Sequence, residues 1–449
     1  MKRIGRIFIL LAVALAAVFP RISFAASYTG APNTVAEAYV VMDAATGQVL
    51  IEKDMHLKKF PASITKIMTV LLALENAEKD EMVTVTNSVF TIPYNSSHIA
   101  LSPGERLSVE QLLYGTMLPS ANDAAIGLAE HVSGSIEDFA ALMNQKAKEA
   151  GALNTNFTNP HGLPDENHYT TPYDMAMIAK YALNVDGFKE VFGENTYVCP
   201  PTNIQSEKRY FHTEVQMLNK GTEYYYEYTT GGKFGWTEDS KYTAVVTAEK
   251  DGVELICVLM KTTQRYDRMK EIEKLFDYCF DNFHRVYAAD DGEDIKVPVY
   301  DGTDHVGDNY VSMNWGLSCL IHNFLTEESI TVTNNIPETA YTTEEFKPTL
   351  TVSLDGGGYM YGGELAAIEL DYLHQEADRI LETDVTTITL IPKDDSIEKP
   401  TAVNYIWIIV AVLAVIVCIL FAIRTYNIRK YRNIRRKRRS EMYRRMNDN

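Results

Sequence analysis

Cysteine is scarce in this sequence: the chain of 449 residues holds five, and none of them form a Cys-x-x-Cys pair. Four cysteines in so long a chain, before the last apolar run, do not build a disulfide framework, so a disulfide-stapled fold is excluded. We expect buried free thiols, with a single bridge left open as the alternative. The four residues are Cys199, Cys257, Cys279 and Cys319.

Positive charge is also scarce over most of the chain. The net charge is −18, but residues 1–25 carry +4 and residues 424–449 carry +9, so the region between them is near −31. So acidic a region disfavours polyanions, which argues against nucleic acid as a partner. With 46% hydrophobic residues, the chain is long enough for one large core and a second domain.

Both ends of the chain predict export to the cell surface. In residues 1–25, basic residues precede a short apolar run and a small-residue cleavage site, which is typical of a secretory signal. A first membrane span is the alternative, and the shortness of the run disfavours it.

Residues 405–423 form an uncharged apolar run of 19 residues, which predicts a single C-terminal transmembrane helix. The basic tail at 424–449 predicts a cytoplasmic C-terminus, with the region between signal and span on the extracytoplasmic side of the cell membrane. Anionic lipid headgroups suit this tail better than nucleic acid, because it directly follows the span.

The first motif with chemical content is Ser63-Ile64-Thr65-Lys66, at the start of a stretch that is apolar nearly all round. Residues three apart share a helix face, and a buried lysine with a lowered pKa can accept a proton from a serine hydroxyl. The alternative is a helix N-cap with an exposed lysine. The second match, Ser396 to Lys399, lies beside Pro400 in an acidic run and is interpreted as chance.

A second candidate is Ser120-Ala121-Asn122, which follows Pro119 at a break between two predicted helices, 107–117 and 124–132. As a functional loop it would turn a hydroxyl and an amide toward Ser63. The alternative is a capping box formed by Ser120 and Asp123.

The segment 159–168 contains His161, Asp165 and His168. A metal site is disfavoured because no helix presents the ligands, and a turn that holds His161 by hydrogen bonds is preferred. The sequence predicts neither a metal nor a cofactor.

Alternating and helical patterns organise the rest of the chain. Residues 36–52 predict a hairpin, and Asp251-Gly252 joins two β-rich runs into another. Further helices are expected at 136–150, 171–183 and 268–283, and period-two runs after 290 predict a β-rich second domain. The aromatic cluster Tyr224 to Tyr228 either lines a groove or forms a half-buried surface.

Taken in order, Ser63-x-x-Lys66, Ser120-x-Asn122 and Lys233-x-Gly235 resemble the low-molecular-mass penicillin-binding D-alanyl-D-alanine carboxypeptidases. The resemblance covers residues 36–283 and includes the Phe60-Pro61-Ala62-Ser63 and Asn159 to Leu163 segments. It implies an α/β (α+β) serine β-lactamase/transpeptidase-like domain with a helical subdomain. Expected partners are a peptidoglycan stem peptide ending in D-Ala-D-Ala, and β-lactam antibiotics.

The resemblance also implies a role for each motif residue. Ser63 would be the nucleophile and Lys66 its base, while Ser120 and Asn122 orient the lysine and the substrate amide. Lys233 and Arg268 would face the terminal carboxylate, and the backbone N–H groups of Ser63 and Trp236 would form the oxyanion hole.

One residue departs from the family pattern, because Phe234 stands where the family has threonine in Lys-Thr-Gly. The missing hydroxyl predicts weaker recognition of the terminal carboxylate by about ten- to a hundredfold, and Thr237 is expected to compensate in part. On that hypothesis Phe234→Thr would raise kcat/KM by about tenfold. The alternative is that the ring packs against Tyr224 to Tyr228 and holds the strand in place.

These observations predict a signal at 1–25, a catalytic domain at 34–285, a smaller β-rich domain at 290–392, a span at 405–423 and a tail at 424–449. The favoured function is removal of the terminal D-alanine from stem peptides. A β-lactamase of the same fold is the enzyme alternative, although no Glu between Ser120 and Lys233 is marked by spacing to activate water. The other alternative is a weakly active penicillin-binding sensor or scaffold, which is suggested by Phe234 in the third motif and by the basic tail.

Overall fold

The computed structural model describes residues 31–287, 294–312, 318–323, 325–354, 363–369 and 372–376. The predicted signal, span and tail lie outside the described residues, as does the end of the predicted β-rich domain at 377–392. No helix within the described ranges is long and apolar enough to cross a membrane.

The first part of the chain mixes helices and strands, and the second is made of strands. The helices are α1 (Lys66–Asn76), α2 (Val109–Met117), α3 (Asn122–Ser133), α4 (Ile136–Glu149), α5 (Pro172–Ala182), α6 (Phe188–Gly193) and α7 (Asp267–Asn282). The strands up to α7 are β1 (Ala38–Asp43), β2 (Val49–Lys53), β3 (Met82–Thr84), β4 (Arg106–Ser108), β5 (Thr196–Cys199), β6 (Arg209–His212), β7 (Thr229–Thr237), β8 (Lys241–Lys250) and β9 (Val253–Thr262). Those after it are β10 (Phe283–Tyr287), β11 (Ile295–Asp301), β12 (Asp304–Val311), β13 (Ser318–His322), β14 (Ile330–Asn334), β15 (Ala340–Tyr341), β16 (Thr349–Leu354), β17 (Gly363–Glu369) and β18 (Tyr372–Glu376).

The central sheet is antiparallel, with strand order β2-β1-β9-β8-β7. Both predicted hairpins are confirmed, since β1 pairs with β2 and β8 pairs with β9. Asp251 and Gly252 join β8 to β9 with positive φ angles, as a tight hairpin turn requires. β7, which carries Lys233 to Thr237, ends the sheet on the side of the Ser63 turn.

Side chains of the sheet alternate between two hydrophobic cores, because successive residues of a strand point to opposite faces. On one face Val40, Met42 and Val258 pack in the core formed with α1 to α6, and on the other Val41 and Cys257 pack with α7. α1 is buried from Lys66 to Ala73, as its all-round apolar sequence predicts. The predicted helices at 107–117, 124–132, 136–150, 171–183 and 268–283 are also present, with ends shifted by one or two residues.

The region after α7 is β-rich, as predicted. Its strands form sheets of order β15-β11-β12-β18, β14-β16-β17 and β10-β13, around a core that includes Val297, Val311 and Val352. Two polar contacts join this region to the β1–β2 hairpin. Arg285 lies 2.7 Å from the Asp43 carboxylate, and Gln48 exchanges hydrogen bonds of 2.6 and 2.8 Å with the backbone of Leu320.

The four cysteines before the apolar run are free and buried, as expected. Burial raises the pKa of the Cys279 thiol well above its ordinary value, and it raises that of Cys257 as well. Both thiols are therefore protonated and packed as small apolar groups.

Candidate active site

Ser63 lies in a 3₁₀ turn, Ala62–Thr65, that leads directly into α1. Two glycines lie directly against this turn. A Cβ atom on Gly162 would lie 1.9 Å from the Ala62 carbonyl oxygen, and one on Gly235 would lie 2.8 Å from the Ser63 backbone nitrogen. Only glycine allows these close approaches, so the loop at 162 and strand β7 together define the position of Ser63.

Lys66 follows one helical turn later and is fully buried. Its ammonium nitrogen lies 3.1 Å from Ser63 Oγ and 2.7 Å from each of two carbonyl oxygens, Asn122 Oδ1 and the backbone oxygen of His161. The N-cap alternative for Ser63, with Lys66 exposed, is therefore wrong.

These contacts suit a lysine that accepts a proton. Burial lowers the pKa of Lys66 well below its ordinary value, and the positive charge of Lys233 lowers it further. The two carbonyl oxygens can only accept hydrogen bonds, so each takes one N–H group of Lys66, which a neutral amine can also supply. The remaining position on Nζ faces Ser63 Oγ, and in the neutral amine this position is the lone pair.

The loop at 159–168 supports this arrangement through its backbone. Asn159 Oδ1 accepts the Gly162 N–H at 2.7 Å and so holds the turn that presents the His161 carbonyl. His168 Nδ1 accepts the Thr158 N–H at 3.0 Å, which leaves Nε2 to donate to Thr65 Oγ1 at 2.9 Å. Burial lowers the pKa of His168 to about 4, so this ring is neutral and anchors the Ser63 turn.

The predicted turn around His161 is confirmed, and its carbonyl is the group that reaches Lys66. Burial lowers the pKa of His161 well below its ordinary range as well. Among the residues that the structure describes, no group of His, Cys, Asp and Glu side chains has the geometry of a metal site.

Ser120 and Asn122 lie between α2 and α3, as the sequence predicts. Ser120 does not cap α3: the N-cap position is Ala121, and no side chain caps the helix there. Instead Ser120 has a φ of +62°, its side chain is buried, and its Oγ has no hydrogen-bond partner within the described ranges. A strained backbone and an unsatisfied hydroxyl both occur at functional sites, where the partner is a ligand.

Asp123 holds the neighbouring loop in place. Its carboxylate accepts the backbone N–H groups of Ile99 at 3.1 Å and Leu101 at 2.9 Å. The Asn122 N–H donates to the Ser97 carbonyl oxygen at 2.8 Å. The capping-box residue of the sequence analysis therefore positions the loop that carries Ser97.

Lys233 is the cation of the edge strand. Its side chain is 1% exposed, and Nζ lies 3.4 Å from Glu214 Oε2 and 3.1 Å from the Phe234 carbonyl oxygen. Burial lowers the pKa of Lys233, and Glu214 opposes that shift.

Arg268 on α7 is the second buried cation. Its guanidinium lies 3.8 Å above the centre of the Phe234 ring and 5.3 Å from that of Tyr242. Nη1 approaches the carbonyl oxygens of Gly235 and Thr243 at 3.4 and 3.5 Å, while Nε has no partner among the described residues. Burial lowers the pKa of Arg268 to about 10, so it keeps its charge at neutral pH.

Ser63, Ser120 and Arg268 line an open cavity of about 320 Å³. Trp236 is half exposed at its edge. Thr237 is not among the lining residues; its hydroxyl bonds to Ser240 Oγ at 2.8 Å and accepts the Ser240 N–H, within the β7–β8 turn. The expectation that Thr237 offers its hydroxyl to a substrate stays a prediction, and it requires the bond to Ser240 to open. The lining residues are Ser63, Ser97, Ser120, Glu214, Phe234, Gly235, Trp236, Tyr242, Arg265 and Arg268.

Sequence reasoning missed several of these groups. Glu214, Tyr242 and Arg265 belong to none of the three motifs. The His161 carbonyl is a backbone group, so no residue type could have marked it. The one available signal was the resemblance of the Asn159 to Leu163 segment to the family.

Comparison with known proteins places this geometry in a family. The family model for D-alanyl-D-alanine carboxypeptidase matches residues 25–264, more than half of the chain. The chain is 34% identical over 258 residues to D-alanyl-D-alanine carboxypeptidase DacF of Bacillus subtilis, covering 56% of this chain and 64% of that protein. It is 34% identical over 281 residues to DacC of Escherichia coli, covering 60% of this chain and 67% of that protein. The matched segment thus spans about two thirds of these relatives.

Solved structures agree with the sequence matches. Penicillin binding protein 5 from Haemophilus influenzae superposes with a TM-score of 0.61 at 26% identity, covering 77% of this chain and 99% of that chain. A mutant of the Streptomyces K15 DD-transpeptidase superposes with a TM-score of 0.52 at 28% identity, covering 56% of this chain and 99% of that chain. The predicted transpeptidase-like fold is therefore confirmed for the catalytic region.

Proposed function

The chain belongs to the D-alanyl-D-alanine carboxypeptidase family, and from that premise we propose that it removes the terminal D-alanine from peptidoglycan stem peptides through an acyl-enzyme on Ser63. The observation that carries the proposal is the position of Lys66. Its nitrogen lies 3.1 Å from Ser63 Oγ, with two of its positions held by carbonyl oxygens and its pKa lowered by burial. A serine hydroxyl beside a neutral, buried amine is an activated nucleophile.

In the proposed reaction, Lys66 takes the Ser63 proton as Oγ attacks the carbonyl carbon of the penultimate D-alanine. The backbone N–H groups of Ser63 and Trp236 stabilise the oxyanion. The C–N bond then breaks, and the leaving D-alanine nitrogen receives a proton through Ser120. Water hydrolyses the remaining ester and releases the shortened peptide and free Ser63.

The other side chains bind and orient in this proposal. Asn122 orients Lys66 and the substrate amide, and Ser120 has a hydroxyl available for the substrate because no group of the described residues bonds to it. Lys233 and Arg268 supply positive charge toward the terminal carboxylate. β-Lactams would acylate the same Ser63, because they present a reactive carbonyl to the same nucleophile.

A labelled penicillin tests the proposal and separates it from the alternatives. The full-length protein in detergent is incubated with the label, which is then followed on Ser63 over time. A long-lived adduct, together with release of D-alanine from a D-alanyl-D-alanine peptide, is the expected result. Rapid loss of the label would indicate a β-lactamase, and absence of any adduct would contradict the enzyme proposal.

The structure favours the second interpretation of Phe234. Its ring is 1% exposed and packs in the core that includes Tyr226, beneath the Arg268 guanidinium. Phe234→Thr is therefore expected to lower the free energy of unfolding by about 2–4 kcal/mol, because it leaves a cavity under a buried cation. Activity should fall with it as Arg268 loses its support.

Thermal unfolding and peptide hydrolysis measure the two effects of Phe234→Thr. Phe234→Leu is the matched control, since it keeps apolar volume and loses only the aromatic face. A stable Phe234→Thr protein with a tenfold higher kcat/KM would instead restore the view of Phe234 as a deficit in carboxylate binding.

We also propose that the protein is exported and anchored by residues 405–423, with the basic tail at 424–449 against anionic lipid on the cytoplasmic side. The proposal is supported by the apolar run and the density of Lys and Arg after it. Protease added to cells without their wall should digest the 26–400 region and leave a tagged tail intact. Loss of the tail tag under these conditions would reverse the orientation.

A further inference from the structure

Glu214 places a carboxylate in the cavity that contains Ser63. It lies between β6 and the short 3₁₀ turn at Gln216–Leu218, and its side chain is 39% exposed. Its Oε2 is 3.4 Å from Lys233 Nζ, longer than the 2.7–2.9 Å that is usual for a charge-assisted hydrogen bond. The carboxylate is thus near the cation but not tightly bound to it.

The surroundings of Glu214 are otherwise positive. Lys233 and Arg268 are almost completely buried, and Arg265 also lines the cavity. The negative charge of Glu214 raises the pKa of Lys66, Lys233 and Arg268, against the effect of burial on each. One partly exposed carboxylate therefore favours the protonated form of three basic groups of the site.

Arg268 already makes contacts within the protein that limit its contacts with a substrate. One face of its guanidinium is covered by Phe234, and Nη1 is directed at two backbone carbonyl oxygens. The guanidinium therefore contributes positive charge to the cavity, but fewer of its N–H groups are free to donate to a substrate than in an exposed arginine. Lys233, whose side chain is 1% exposed, supplies the positive charge that lies 3.4 Å from Glu214.

We propose that Glu214 determines specificity at the leaving group, by reducing the preference of the site for a terminal carboxylate and so admitting D-alanyl amides whose leaving amine carries no carboxylate. The inference rests on the proposed function of the same site. A substrate carboxylate placed near Lys233 is attracted by the ammonium and repelled by Glu214 at a similar distance. An uncharged leaving group experiences neither effect.

The reaction is the same for both substrates. The Ser63 Oγ–carbon bond forms, the carbon–nitrogen bond to the leaving group breaks, and the nitrogen gains a proton. The product is D-alanine in one case and D-alaninamide in the other, and water completes the cycle. The two substrates therefore differ only in the charge that faces Lys233 and Glu214.

The test compares an N-acylated D-alanyl-D-alanine peptide with the same peptide bearing a C-terminal amide, using full-length protein. Selectivity is the ratio of kcat/KM for the acid to that for the amide. Glu214→Gln is expected to raise this ratio about tenfold, chiefly through a lower KM for the acid. Glu214→Asp keeps the negative charge, so its acid-to-amide ratio of kcat/KM should stay close to that of the unsubstituted protein.

Glu149→Gln is the matched control. Glu149 pairs with Lys146 at 2.8 Å at the end of α4, its side chain is 43% exposed, and it does not line the cavity. This substitution removes the same charge from the domain and should leave the ratio unchanged.

Several results would overturn the proposal. An unchanged ratio in Glu214→Gln, or an equal loss on both substrates, would mean that Glu214 only supports Lys233. Slower release of the penicillin adduct at an unchanged ratio would assign Glu214 to deacylation instead. If unsubstituted protein forms no adduct on Ser63 at all, the proposed function fails, and this inference fails with it.

Discussion

Replacing Lys66 with alanine is expected to lower the rate of Ser63 acylation by about 10²–10⁴-fold, because the reaction loses its general base. No other nitrogen or carboxylate contacts Ser63 Oγ among the described hydrogen bonds. The measurement is the second-order rate of labelling by penicillin in the full-length protein. Lys66→Met serves as the control for volume, since methionine fills most of the space of the buried lysine side chain without a basic group.

Circular dichroism and thermal unfolding of both variants separate a chemical loss from an unfolded protein. Asn122 Oδ1 and the His161 carbonyl lose a donor in both, so the melting temperature should fall while the fold persists. Acylation at an undiminished rate in folded Lys66→Ala would remove Lys66 from the mechanism.

The pH dependence of acylation tests the same role. The neutral amine is the active form, so the rate rises as pH increases through the pKa of Lys66 and is lost as pH falls below it. Because burial lowers this pKa well below its usual 10.5, the half-maximal point should lie well below that value. Lys66→Arg, which stays protonated, should be inactive throughout the range.

Replacing Gly162 with alanine is expected to reduce acylation about 100-fold, since small displacements of a nucleophile are costly. The new Cβ would lie 1.9 Å from the Ala62 oxygen and 2.8 Å from Thr65 Oγ1, so the turn that carries Ser63 must shift. Neither atom belongs to a flexible chain end that could move aside without disturbing the turn. Labelled penicillin reports the rate, and thermal unfolding reports the accompanying loss of stability.

Gly134→Ala is the matched control for this substitution. Gly134 ends α3 with a φ of +80°, close to the +84° of Gly162, but a Cβ atom there has no neighbour within 4 Å. Both variants therefore carry the same backbone strain, and only Gly162→Ala disturbs the site. Equal activity in the two variants would show that the contact with Ala62 does not position Ser63.

The sequence by itself determined the local elements and the order of the motifs. Asp251-Gly252 between two β-rich runs predicted the hairpin, because positive φ at both residues is a local requirement of the turn. The apolar stretch after Ser63 predicted a helix buried on all sides, because helical periodicity and burial follow from nearby residues. The family resemblance then supplied the roles that spacing alone left open.

Tertiary structure alone decided which groups surround Ser63. Lys66 meets the His161 carbonyl across 95 positions of sequence, and Lys233 meets Glu214 across a loop with no periodic pattern. The sequence leaves open whether Phe234 is a missing hydroxyl or a packed ring, and only the packing of β7 against α7 brings its ring beneath Arg268. Thr237, two residues beyond Gly235, is instead held by Ser240 within the turn. Periodicity describes which face of an element a residue occupies, whereas these contacts depend on how separate elements pack, and that packing is decided only when the whole core forms.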